Sequence, residues 1–155
     1  MYKKILLPLD GSQLSECALE HARVIARALG DCEIVLLMAV EPTSGEIIRG
    51  GEAAAVSDIL VAAQKEAETD AKEYLSRISA KLNEEGLRSS LAVLGGPPAD
   101  EILKYSREAN VDLIVMSTHG RSGLSRFIAG SVARKVIDHS AIPVLIVPPR
   151  GCRIS

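Results

Sequence analysis

Five short, continuous apolar runs, separated by stretches with helical spacing, constrain this chain more than any other feature. They are Ile5-Leu6-Leu7, Ile34 to Val40, Leu91 to Leu94, Leu113 to Met116 and Ile142 to Val147. Runs this short, rich in Val and Ile and bounded by turn residues, read as strands buried on both faces. Between them, Leu14, Ala18, Ala22, Ile25 and Leu29 fall on one face of a helix that Gly30 stops. A long second helix is expected from Ala53 to Glu85, with Ile59, Ala63, Ala67, Ala71, Tyr74, Ile78 and Leu82 as its inward stripe. Ala99 to Ala109 reads as a third helix carrying Ile102 and Leu103. Ser131 to His139 reads as a fourth, with Val132, Val136 and Ile137 turned inward.

Strict alternation of strand and helix indicates an α/β fold: one doubly wound, five-stranded parallel sheet with helices on both faces, Rossmann-like. Pro143 falls in the last run, and proline is tolerated at an edge or a strand start but costs a ladder bond in a central strand. The last strand is therefore expected at an edge, which gives the spatial order 3-2-1-4-5. Winding reverses between strands one and four, and open α/β sheets bind ligands outside the carboxyl ends of their strands at such a reversal. A length of 155 residues suits a single domain over residues 1–155.

Composition excludes several partners. With 18 basic against 20 acidic residues, the chain lacks the positive excess that neutralising nucleic-acid phosphates requires. Its aromatics are Tyr2, Tyr74, Tyr105 and Phe127, too few for base-stacking platforms. No run approaches the ~18 apolar residues of a membrane span, so a soluble, cytoplasmic protein is expected. Cys17, Cys32 and Cys152 are odd in number and contain no CxxC pair. They read as thiols of a reducing compartment rather than a disulfide framework or zinc site. The polar connection from Pro42 to Glu52, with Gly45, Gly50 and Gly51, is long enough to form a loop over a ligand.

The stretch after strand four is the one that suggests chemistry. It reads Met116-Ser117-Thr118-His119-Gly120-Arg121-Ser122-Gly123, then continues to Gly130-Ser131-Val132-Ala133. Small residues let a backbone approach a ligand closely, and Gly130-Ser131 opens a helix whose free N–H groups and positive dipole end favour an anion. Leu113 to Ile137 contains no acid but holds Arg121, Arg126, Arg134 and Lys135, whereas acids outnumber bases from Glu41 to Glu85. The pattern is neither a Walker loop nor a GxGxxG dinucleotide fingerprint. Asp10, before Gly11-Ser12, reads either as a turn-setting and capping residue or as a ligand contact. No GxSxG elbow, triad or carboxylate pair is visible.

Thr118 to Gly123, nine residues between Gly120 and Gly130, the Gly130-Ser131 step and the closing Pro-Val-Leu-Ile-Val resemble the universal stress protein family. So does the opening Ile5-Leu6-Leu7-Pro8-Leu9-Asp10-Gly11-Ser12, and the resemblance spans the whole chain. It implies a stress-related regulatory protein that binds ATP and acts as a nucleotide-dependent homodimer through the strand at 142–147, with a further protein partner. At most slow ATP hydrolysis is implied, with Mg²⁺ carried on the phosphates and no catalytic base identified. By the same resemblance Val40, closing strand two, offers main-chain groups to adenine beside Pro8 and Asp10. Ser117 and Gly120 lie against the ribose and first phosphate, with Met116 also in the binding site, while Arg121, Ser122 and Gly123 continue around the phosphates. Gly130, Ser131 and Val132 hold those phosphates with helix N–H groups and a hydroxyl. The family's first loop glycine is here Ser117, which adds a hydroxyl and gives up glycine's freedom at positive φ. A protein-interaction module of the same fold that binds no nucleotide is the alternative reading.

Overall fold

The structure is a computed structural model that describes residues 1–42, 53–118 and 130–148. In chain order its elements are β1 (Lys4–Pro8), α1 (Gln13–Leu29), β2 (Glu33–Val40), α2 (Ala53–Glu84), β3 (Arg88–Gly95), α3 (Pro98–Glu108), β4 (Leu113–Ser117), α4 (Ser131–His139) and β5 (Val144–Val147). The strands form one parallel sheet in the order β3-β2-β1-β4-β5. This is the expected doubly wound architecture, with its reversal between β1 and β4.

Side chains alternate across a strand, so β1 feeds two cores. Ile5 and Leu7 pack with Ala18, Ala22 and Ala26 of α1 and with Leu75, Ile78 and Leu82 of α2. Leu6 packs on the other face with Ile102 and Leu103 of α3 and Ala133 and Val136 of α4. Each fully buried Leu or Ile stabilises the fold by roughly 1.5–3 kcal/mol. The alanines of α1 let its backbone lie close to the sheet.

Three expectations are corrected in detail. At 1.5 Å per residue, the 32 residues of α2 run about 48 Å, whereas an eight-residue strand such as β2 covers about 26 Å. The first half of α2 therefore passes beyond the sheet, and Ile59 is 67% exposed although it lies on the helix's apolar stripe. Ala63 is exposed for the same reason. On α4, Ile137 is 46% exposed and Ala133 takes the inward place. β5 begins at Val144, one residue after Pro143, whose carbonyl accepts the Ile114 N–H at 2.9 Å. Proline thus joins the ladder without needing the N–H it lacks.

Cys32 is a buried, free thiol, but Cys17 is disulfide-bonded, which corrects the reading as thiols at Cys17. At the amino edge of the sheet, Asp112 Oδ2 accepts the N–H groups of Lys3 (2.8 Å) and Lys4 (2.9 Å). Those bonds hold its carboxyl below the usual carboxylate range.

Candidate functional site

The carboxyl ends of β1, β2 and β4 and the start of α4 meet around a cavity of about 830 Å³, within the range of ~300–1,000 Å³ typical of small-molecule sites. Each wall has a local cause. After Pro8 the chain turns through Gly11, at φ 83°, a conformation glycine adopts without strain. Asp10 Oδ1 fastens this turn by accepting from the Ser12 N–H (2.9 Å) and hydroxyl (2.6 Å). Ser12 in turn accepts the Ser15 N–H at 3.1 Å and caps α1. The turn-setting role of Asp10 is therefore real, the cap itself falls to Ser12, and Asp10 also lines the cavity.

On β2, Leu37 O accepts the Leu9 N–H at 2.8 Å and Val40 O accepts the Gly96 N–H at 3.1 Å. Residues of a parallel strand turn their main-chain groups alternately to one neighbour and the other. Val40 thus faces β3, while Ala39 faces the β1 side, beyond the point where β1 has ended. On β4, Ser117 pairs with Val147, and Thr118 donates its N–H to Val147 O at 3.1 Å. Thr118 O then accepts the Gly130 N–H at 2.6 Å, clasping the start of α4 to the end of β4. A Cβ at Gly130 would stand 3.0 Å from that carbonyl oxygen, so the clasp is a close approach that glycine permits. Gly130 makes no side-chain cap, and the first N–H groups of α4 have no intrahelical acceptor. Their dipole end suits a negative group.

Of the residues singled out in the sequence, Pro8, Asp10, Val40, Met116, Ser117, Gly130, Ser131 and Val132 all line this cavity. Gly120, Arg121, Ser122 and Gly123 lie outside the described residues, as do His119, Arg126 and residues 43–52. Arg134 and Lys135 do not line it. Lys135 pairs with Asp100 at 2.7 Å and Arg134 with Asp138 at 4.0 Å, which corrects their reading as part of an anion-attracting end.

One wall escaped sequence reasoning. Ala67, Asp70, Ala71, Tyr74 and Arg77 of α2 line the cavity, and helical spacing puts them on one face. The signal available was the polar interruption of the α2 stripe at Asp70 and Arg77. Tyr74 donates its hydroxyl to Glu16 Oε1 at 2.7 Å; burial, and then that bond, push the hydroxyl above its ordinary titration range. The charged residues lining the cavity among the described ones are Asp10, Glu41, Asp70 and Arg77.

The profile of the Universal stress protein family matches residues 1–148. Universal stress protein MJ0531 of Methanocaldococcus jannaschii is 35% identical over 149 residues, covering 95% of this chain and 82% of that protein. Universal stress protein YxiE of Bacillus subtilis is 31% identical over 147 residues, covering 95% of this chain and 99% of its own. The solved structure of hypothetical protein MJ0577 superposes with a TM-score of 0.82 at 30% identity, covering 100% of this chain and 99% of that one. A universal stress protein solved in complex with cAMP shares the fold, with a TM-score of 0.60 at 23% identity over 96% of this chain and 98% of that one.

Proposed function

This chain belongs to the universal stress protein family, and from that premise we propose that it is a stress-related regulatory protein that binds ATP in the cavity over the carboxyl ends of β1, β2 and β4. One observation carries the reading. Residues distant in sequence, Pro8 and Asp10 on one turn, Met116 and Ser117 on another, Gly130 to Val132 at a helix start, line a single cavity of nucleotide size. In this reading the base lies against Pro8, Asp10 and the main chain of Ala39. Ala39 takes the role expected of Val40, because the Val40 carbonyl already receives the Gly96 N–H. The ribose lies by Met116 and Ser117, and the phosphates pass against Gly130, whose own N–H is held by Thr118 O, to meet the N–H groups of Ser131 and Val132. Gly120, Arg121, Ser122 and Gly123 continue that contact in the family pattern. Mg²⁺ arrives on the phosphates; among the described residues no cluster of three His, Cys, Asp or Glu gathers that could hold a metal.

The cAMP complex of a protein sharing the fold supports nucleotide binding as something this architecture does. We further propose a cytoplasmic homodimer joined through β5. That strand is a sheet edge with Leu145 37% exposed, and an open apolar edge favours pairing with another chain. A second reading, an interaction module that binds no nucleotide, draws on the excess of three carboxylates over one guanidinium among the described charged residues lining the cavity. Calorimetric titration of the purified chain with ATP separates them: saturable binding supports the first, and its absence the second.

A further inference from the structure

The α2 wall has no part in the residues carried over from the family pattern, yet it closes the side of the cavity beside the end of β2. We propose that this wall sets which base the cavity accepts: Asp70 takes an exocyclic N–H of adenine, with Ala67, Ala71 and the Tyr74 ring forming the surface the base lies on. The inference rests on the nucleotide reading and adds the choice of base to it.

The wall suits a planar ring. Ala67 and Ala71 are small, and Tyr74 packs against the α1–α2 core while Glu16 holds its hydroxyl at 2.7 Å. The aromatic surface is therefore fixed before a ligand arrives, which lowers the ordering cost of binding. Asp70 lies four residues before Tyr74 and three after Ala67, on the same helix face. It makes no ion pair among the described residues. Asp10, by contrast, already receives two bonds from Ser12 on Oδ1.

The chemistry of the base does the rest. The 6-amino group of adenine carries two hydrogens, one for the Ala39 carbonyl and one for Asp70. A carboxylate only accepts hydrogen bonds when ionised, so it meets the 6-oxo group of guanine or hypoxanthine with repulsion. Loss of a hydrogen bond to a charged group changes affinity by about tenfold or more.

The test is titration of the full-length chain with ATP and ITP, which differ at position 6 of the base. Wild type is expected to prefer ATP. Asp70→Asn should weaken ATP about tenfold and bring ITP closer to it, because the new amide offers an N–H to the 6-oxo group. Asp70→Ala should weaken ATP without that gain, and Glu66→Gln, an exposed change on α2 outside the cavity lining, should leave the preference unchanged. An ATP preference that survives both Asp70 changes, or that moves with Glu66→Gln instead, overturns the inference while leaving the nucleotide reading standing. A wild-type chain that binds neither nucleotide overturns both.

Discussion

Replacing Gly130 by alanine tests the clasp between β4 and α4 with a single methyl group. The backbone there has φ −55° and ψ 159°, which alanine adopts freely, so no strain of conformation enters. The cost is contact. The new Cβ stands 3.0 Å from Thr118 O, the same oxygen that accepts the Gly130 N–H at 2.6 Å. Thr118 is itself tied to Val147 at 3.1 Å, so the carbonyl yields only by loosening one of these bonds. A weakened hydrogen bond costs about 0.5–1.5 kcal/mol, and alanine is a poorer helix cap than glycine. Together these lower stability by about 1–2 kcal/mol, where each kcal/mol is about 2–4 °C in Tm for a chain of this size. Binding should suffer more, because the displaced N–H groups are those that meet the phosphates; ATP affinity falls about tenfold or more. Gly130→Val places two further methyl groups at the same point and should abolish binding, with a larger stability loss. Thermal melting and calorimetry with ATP on the same preparation read both effects. A folded Gly130→Ala protein with wild-type Tm and wild-type affinity refutes the argument at its root.

Two more outcomes follow from the edge strand and from the amino edge of the sheet. Leu145→Lys puts a charge on the exposed face of β5 and should convert a micromolar dimer to monomer by sedimentation equilibrium; Val144 and Ile146, which pack against the α3–α4 core, are poorer probes because charge there also disturbs the fold. A monomeric wild type at micromolar concentration contradicts the dimer. Asp112 titrates below its ordinary range because Lys3 and Lys4 donate to it, so its contribution is present above the unfolded carboxylate pKa, about 3.9, and is lost as pH falls through the lower folded value. Urea midpoints should therefore drop less steeply on the acid side for Asp112→Asn than for wild type, and identical slopes contradict that assignment.

The architecture was legible because its determinants are local. Continuous apolar runs such as Ile34 to Val40 declare central strands, and Pro143 declares an edge. What escaped depends on where elements end in space. The periodicity of Ile59 and Ala63 is indistinguishable from that of Ala71 and Ile78 until the sheet beneath is seen to stop. Arg134 and Lys135 looked like cations for a ligand because Asp100, the partner of Lys135, comes from a different helix. The cavity residues contributed by strand ends could be read from topology, whereas Asp70 and Arg77 resemble the ordinary polar face of any long helix and Tyr74 reads only as part of its inward stripe. Which neighbour the carbonyls of Val40 and Ala39 turn toward is a matter of pleat direction, and only the register of β2 against β1 and β3 shows it.

The most direct test of the central claim is calorimetric titration of the nucleotide-free wild-type chain with ATP and, in parallel, with AMP. One saturable ATP site per chain is expected, with AMP weaker because it lacks the outer phosphates that the start of α4 addresses. No saturable ATP binding, or equal affinity for the two nucleotides, contradicts the assignment of the cavity between the ends of β1, β2 and β4 and the N-terminus of α4.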